Sequence, residues 1–347
     1  MKLYIGTYTK DLLTGKQTGS KGIYLCEFDD DTGHLQILDT QGRSENPSFL
    51  QLSADGQLLL AANECLQTGA LDTYTVGVDG HLTHVDTTRF AGSACCYAAL
   101  GEQGNFAIAV HYLEGEVFSY PLQNGKFGPR VSTFFHQGSG PVAGRQEGPH
   151  AHSARPMPGQ NMAVVCDLGC DLVRFYGYVA GGVLTPGVLP DIHTPAGTGP
   201  RHSESTLDGE WLYISCELSN EVLFYRRTEH GYTLQQRLST LPGDFAGENT
   251  AADIHFGFDQ KYLYVSNRGH NSLATYRVGV DGVLEPLAIV PCGGKTPRNF
   301  AVTRRHLLCA NQDSGTVTVL PLEADGIPGQ VTFQLEIPAS VCVELSK

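Results

Sequence analysis

One unit of about fifty residues returns along the whole of this 347-residue chain, and a repeat of that length leaves few architectures open. Each copy holds two short runs of β-branched and aromatic residues. The first run stops at a polar residue, a Gly- or Asn-bearing turn follows, and the second run begins. Residues 211–217 with 220–225, 262–268 with 271–276, and 162–167 with 171–176 show it most plainly. The pattern is that of a β-hairpin. It returns at 58–64, 106–112, 306–312 and, at the N-terminus, 3–8. The stops fall at Tyr8, Glu64, Tyr112, Asp167, Glu217, Arg268 and Gln312, about 51 residues apart.

A further strand flanks each hairpin on either side, which makes four strands per unit, the content of a propeller blade. The expected fold is therefore all-β: a single domain over 1–347, a seven-bladed β-propeller with four antiparallel strands per blade. The N-terminal unit lacks its first strand. Residues 338–345 carry the same pattern as 297–303 and are expected to complete that blade, leaving no exposed inter-blade edge. No amphipathic helical pattern of useful length occurs, which excludes helical repeat arrays. The composition agrees, with 41 Gly, 18 Pro and only 17% charged residues, as a fold of tight turns and short strands requires.

The net charge of −13 argues against nucleic acid as a partner. No apolar run approaches the ~18 residues of a membrane span. Residues 1–8 read as a strand and not as a signal peptide, so a cytoplasmic location is expected. The ten cysteines form no paired CxxC units and read as reduced core thiols. The oligomeric state is left open.

In a blade the innermost strand runs antiparallel to its neighbour. The start of the first and the end of the second therefore meet at one face. That rule gathers Glu64, Asp167, Glu217, Arg268 and Gln312 with Ser48, His152, Arg201 and Arg298 at one mouth of the central channel. Carboxylates packed beside guanidiniums tune each other's protonation and bind anionic, oxygen-rich ligands. The plainer alternative is a salt-bridge network that merely plugs the channel. His150 and His152 stand two apart after a Gly-Pro turn, and only one is expected to face the channel unless the segment is loop. His-x-His is a weak metal motif, so neither a metal nor another cofactor is expected. General base catalysis or hydrogen bonding to substrate suits these histidines better. His255 reads as a structural donor within its blade. Neither a Gly-x-Ser-x-Gly elbow nor a phosphate-binding P-loop occurs.

The segments 148–152 (GPHAH), 199–202 (GPRH), 216–218 (CEL), 248–255 (ENTAADIH), 266–270 (SNRGH), 293–298 (GGKTPR) and 310–314 (ANQDS) resemble the propeller-type 6-phosphogluconolactonase family. That family also holds the fungal carboxy-cis,cis-muconate lactonising enzyme. The likeness runs from residues 4–9 almost to the C-terminus. In the muconate enzymes a His, two Arg and a Glu near the channel mouth serve catalysis. Matched by motif, the resemblance implies His150 or His152, Arg201, Glu217 and Arg268 as catalytic residues. Glu64, Asp167, Arg298 and Gln312 are expected to bind substrate. The implied function is a lactonase acting on a small anionic sugar lactone, most simply 6-phospho-D-glucono-1,5-lactone of the pentose phosphate pathway. A muconate-type cycloisomerase and a non-catalytic binding propeller are the alternatives.

Overall fold

The computed structural model describes residues 1–346. Seven antiparallel sheets stand around one axis. Blade five shows the plan: Pro200–Ser205 lies innermost, followed outward by Trp211–Cys216, Glu221–Thr228 and Gly231–Ser239. In blades three and four the outer strand is split, into Lys126–Phe127 and Ser132–Phe135, and into Leu184–Pro186 and Ile192–His193. Pro129 and Pro190 fall in the two interruptions, where a residue without an N–H cannot continue a ladder. The described residues form strands and turns, and no helix is long and apolar enough to cross a membrane.

Closure is as the repeat requires. The last strand, Ser340–Leu345, pairs with the first, Lys2–Thr7, with Leu3 opposite Leu345 and Ile5 opposite Val343. It also packs against the innermost strands of blades seven and two, Pro297–Val302 and Pro47–Leu52. The two ends of the chain thus share blade one.

Each of the seven blade interfaces holds its own apolar cluster. Between blades six and seven, for example, Leu273, Phe300, Leu307 and Cys309 are fully buried. Each large apolar side chain so buried contributes roughly 1.5–3 kcal/mol. Hydroxyl latches tie the blades together further out. Tyr4, Tyr213 and Tyr264 donate to the carbonyls of Gly80, Gly282 and Gly326 in the next blade, at 2.7, 2.6 and 2.7 Å. Gly282 has φ +83°, and a Cβ there would lie 2.5 Å from Phe224, so only glycine can present this carbonyl.

The innermost strands share an irregularity that positions the site. At the same end of blades one, two, four, five, six and seven, the register between the first and second strands shifts. The residues left out of the ladder include Ser48, His152, Arg201 and Arg298. A β-bulge at a channel rim re-aims the extra side chain. Here it turns four residues from four blades toward one mouth.

Candidate active site

Glu217 follows the strand Trp211–Cys216, and its N–H donates to the Gly199 carbonyl at 2.8 Å. Its carboxylate meets three guanidiniums. Oε2 lies 3.0 Å from Arg201 Nε and 2.6 Å from Arg268 Nη2, while Oε1 accepts from Arg145 Nη2. Burial alone would raise the Glu217 carboxyl. Arg268, Arg201 and Arg145 together hold it below the ordinary carboxylate range. Glu217 is thus an anion with its oxygens engaged, which makes it a poor proton acceptor and a good anchor for arginines.

Arg298 makes a second cluster. Its guanidinium lies over the Tyr8 ring, 5.4 Å from the centroid, and 3.5 Å from Glu64 Oε2. The Tyr8 hydroxyl donates to the same Glu64 oxygen at 2.7 Å. The two clusters face each other across His152. That imidazole is buried, and Arg201, Arg298 and Arg268 all act on it. Burial first, and then these cations, push it well below the usual histidine range, so it is neutral at neutral pH. Tyr112 and His202 meet it edge to face, at 5.6 and 5.2 Å.

His150 lies in the loop just before Ala151–Met157, and it too sits at the mouth. It stacks on Tyr112 at 4.5 Å, and its Nδ1–H donates to the Tyr112 carbonyl at 2.9 Å. Strict alternation sends residues two apart to one face, so the strand period gave no ground for expecting only one of the two histidines to face the channel. Loop and bulge set their directions instead. His150 is fixed to the rim, and His152 points into the arginines.

Asp167 does not belong to this ring. It pairs with Ala151, and the residue after it, Leu168, makes the bond to the His150 carbonyl that Glu217 makes to Gly199. The counterpart of Glu217 in blade four is therefore Leu168. Being one residue out of phase turns a strand side chain to the other face. Asp167 is fully buried and accepts from His136 at 2.7 Å and from the N–H groups of His150, Gly169 and Cys170. It is a blade-internal anchor with no capacity for substrate. Gln312 does stand at the equivalent of Glu217, with its N–H on the Thr296 carbonyl and its Oε1 buried and unpartnered.

Three residues of consequence escaped the sequence reading. Arg145 arrives from the loop ahead of blade four, outside the repeat. Its place five residues before His150 was the available signal. His202 follows Arg201 directly. Its Nδ1–H donates to Asp253 Oδ1 at 2.7 Å, which leaves the Nε2 lone pair 3.3 Å from Arg201 Nη1. Asp253 and His202 thereby brace the guanidinium from below. His255 continues the network down the channel, bonded to Asp253 Oδ2 at 2.8 Å and to Glu204 Oε1 at 2.9 Å. The first bond is the one expected within its blade, and the second crosses to the innermost strand of blade five.

Residues 2–345 match the family described as lactonase, seven-bladed β-propeller. The chain belongs to that lactonase family. It is 31% identical to the 6-phosphogluconolactonase of Bacillus subtilis strain 168 over 353 aligned positions, 98% of this chain and 97% of the relative. The periplasmic gluconolactonase of Pseudomonas aeruginosa superposes with a TM-score of 0.90 at 27% identity, covering 99% of this chain and 98% of that one. A protein of Lactobacillus plantarum superposes with a TM-score of 0.89 at 27% identity, over 99% and 98% of the two chains.

Proposed function

We propose that this lactonase-family member hydrolyses 6-phospho-D-glucono-1,5-lactone to 6-phosphogluconate, as in the pentose phosphate pathway. The observation that carries the reading is the charge of the mouth. Four guanidiniums, of Arg145, Arg201, Arg268 and Arg298, face two carboxylates, of Glu64 and Glu217. Two positive charges remain in a chain whose net charge is −13. A phosphomonoester dianion balances that surplus, and a neutral lactone does not. Buried polar atoms without partners gather at the same mouth: Ser48 Oγ, His152 Nδ1, Gln312 Oε1 and the Nε atoms of Arg201 and Arg268. The Arg201 N–H stands close to Glu217 but is not aimed at it. These are donors and acceptors at the mouth that a polar ligand can engage.

In the proposed reaction a water molecule attacks the lactone carbonyl carbon, and His152 accepts its proton. Arg201 stabilises the oxyanion, a role for which one good donor is worth roughly 3–4 kcal/mol. The C–O bond to the ring oxygen then breaks, and that oxygen takes up the proton. Asp253 and His202 hold Arg201 in place, and Glu217 keeps Arg201 and Arg268 together. A strained cyclic ester needs only modest help, so a weakly basic histidine is sufficient. A cytoplasmic setting for this step is part of the proposal.

Hydrolysis of the phosphorylated lactone, followed by proton release, tests the proposal. The expected result is turnover well above the spontaneous rate and a thermal shift with 6-phosphogluconate but not with gluconate. A folded sample that gives neither would reject it.

A further inference from the structure

The four mouth arginines are graded in depth. The Arg201 side chain is 2% exposed, Arg268 13%, Arg298 17% and Arg145 36%. The two deeper ones bracket Glu217 beside His152, where the bond-breaking chemistry is placed. Arg145 stands at the lip. It comes from the loop between Ser132–Phe135 and Ala151–Met157 and not from a blade position. Only Nη2 of its guanidinium is committed to Glu217, with the Tyr112 hydroxyl beside it. Arg130, by contrast, is spent on Glu116 and on the aromatic rings of blade three.

The loop that carries Arg145 is held firmly. Gln146, the next residue, is fully buried. Its Nε2 donates to the Leu168 carbonyl at 2.8 Å and to Asp171 Oδ1 at 2.9 Å. The Gln146 N–H closes a turn onto the Val142 carbonyl at 2.9 Å. A pre-set guanidinium loses little freedom when it takes up a ligand, and its planar fork matches a phosphate in two-point contact.

We infer that Arg145 is the specificity-determining residue that reads the anionic tail of the substrate. The inference rests on the phosphorylated-lactone reading above. The lactone carbonyl goes deep, to Arg201 and His152. The far end of a six-carbon lactone then points outward, and Arg145 is the cation waiting there. Glu217 ties the two ends together, because one carboxylate orients both the reaction-centre arginines and the lip arginine.

The test measures kcat and KM for 6-phosphoglucono-1,5-lactone and for unphosphorylated glucono-1,5-lactone, in wild type, Arg145→Ala and Arg145→Lys. The ratio of kcat/KM between the two lactones is expected to fall about 10- to 100-fold in Arg145→Ala, with the loss falling mainly on KM for the phosphorylated one. Arg145→Lys, which keeps the charge but not the fork, is expected to fall between. A wild-type ratio retained in Arg145→Ala, or an equal loss on both lactones, overturns the inference while leaving the phosphate reading intact. Equal kcat/KM for the two lactones in wild type overturns the phosphate reading and this inference with it.

Discussion

Glu217 Oε2 and Arg268 Nη2 stand 2.6 Å apart across the boundary between blades five and six. The same oxygen also faces Arg201, and the other oxygen holds Arg145. One carboxylate therefore ties the innermost strand of blade five, the end of a strand in blade six and the loop before blade four.

Removing that charge leaves three guanidiniums crowded together with no anion between them. Glu217→Gln is expected to lower stability by about 3–5 kcal/mol, the usual effect of removing one partner from a buried ion pair. Urea denaturation reads that loss directly. The variant is also expected to lose kcat, because Arg201 and Arg268 move apart. A variant as stable as wild type would show that the cluster is not coupled as the distances indicate.

Arg201→Ala addresses the oxyanion role alone. Loss of one such donor is expected to reduce kcat about 100- to 1,000-fold. Arg201→Lys should recover little, because a lysine cannot contact Glu217 and the His202 lone pair together. Stopped-flow hydrolysis gives both numbers. Equal rates in Arg201→Ala and wild type remove Arg201 from the reaction.

Acid sensitivity follows from the neutral histidines. Burial and then Arg201 push His202 down to about 4, and His152 is shifted in the same direction by the same causes. In the unfolded chain both return to about 6.5. The unfolded state thus binds protons first, and stability is expected to fall as pH drops from about 6.5 toward 4. Urea midpoints at about pH 7.5 and about pH 5 measure the slope. His202→Gln should flatten it, and an unchanged slope in a folded variant would contradict the assignment.

The closing strand offers a test of the ring. Ser340–Leu345 completes blade one and buries Val341, Cys342 and Val343 between its neighbours. Deleting residues 338–347 opens the ring and exposes the edge of Lys2–Thr7. The expected outcome is loss of the entire cooperative transition, not of one blade. A truncated chain that melts like the full one would mean the blades are independent.

The sequence by itself determined the blade count, the shared first blade and most of the mouth. These follow from local rules: alternation along a strand, turn chemistry, and a spacing of about 51 residues that cannot be mistaken for a helical period. The positions of Glu64, Glu217, Arg268 and Gln312 came from that phase alone. The three-dimensional structure decided what local rules do not contain. The phase of Asp167 against Leu168 was settled by strand pairing, which sets Asp167 opposite Ala151 just as it sets Cys216 opposite Pro200. Arg145 reaches Glu217 across 72 positions of chain, and His202 reaches Asp253 across 51. Contacts of that separation are set by closure of the ring, which alone brings blades four, five, six and seven to one mouth and leaves His152 neutral among their arginines.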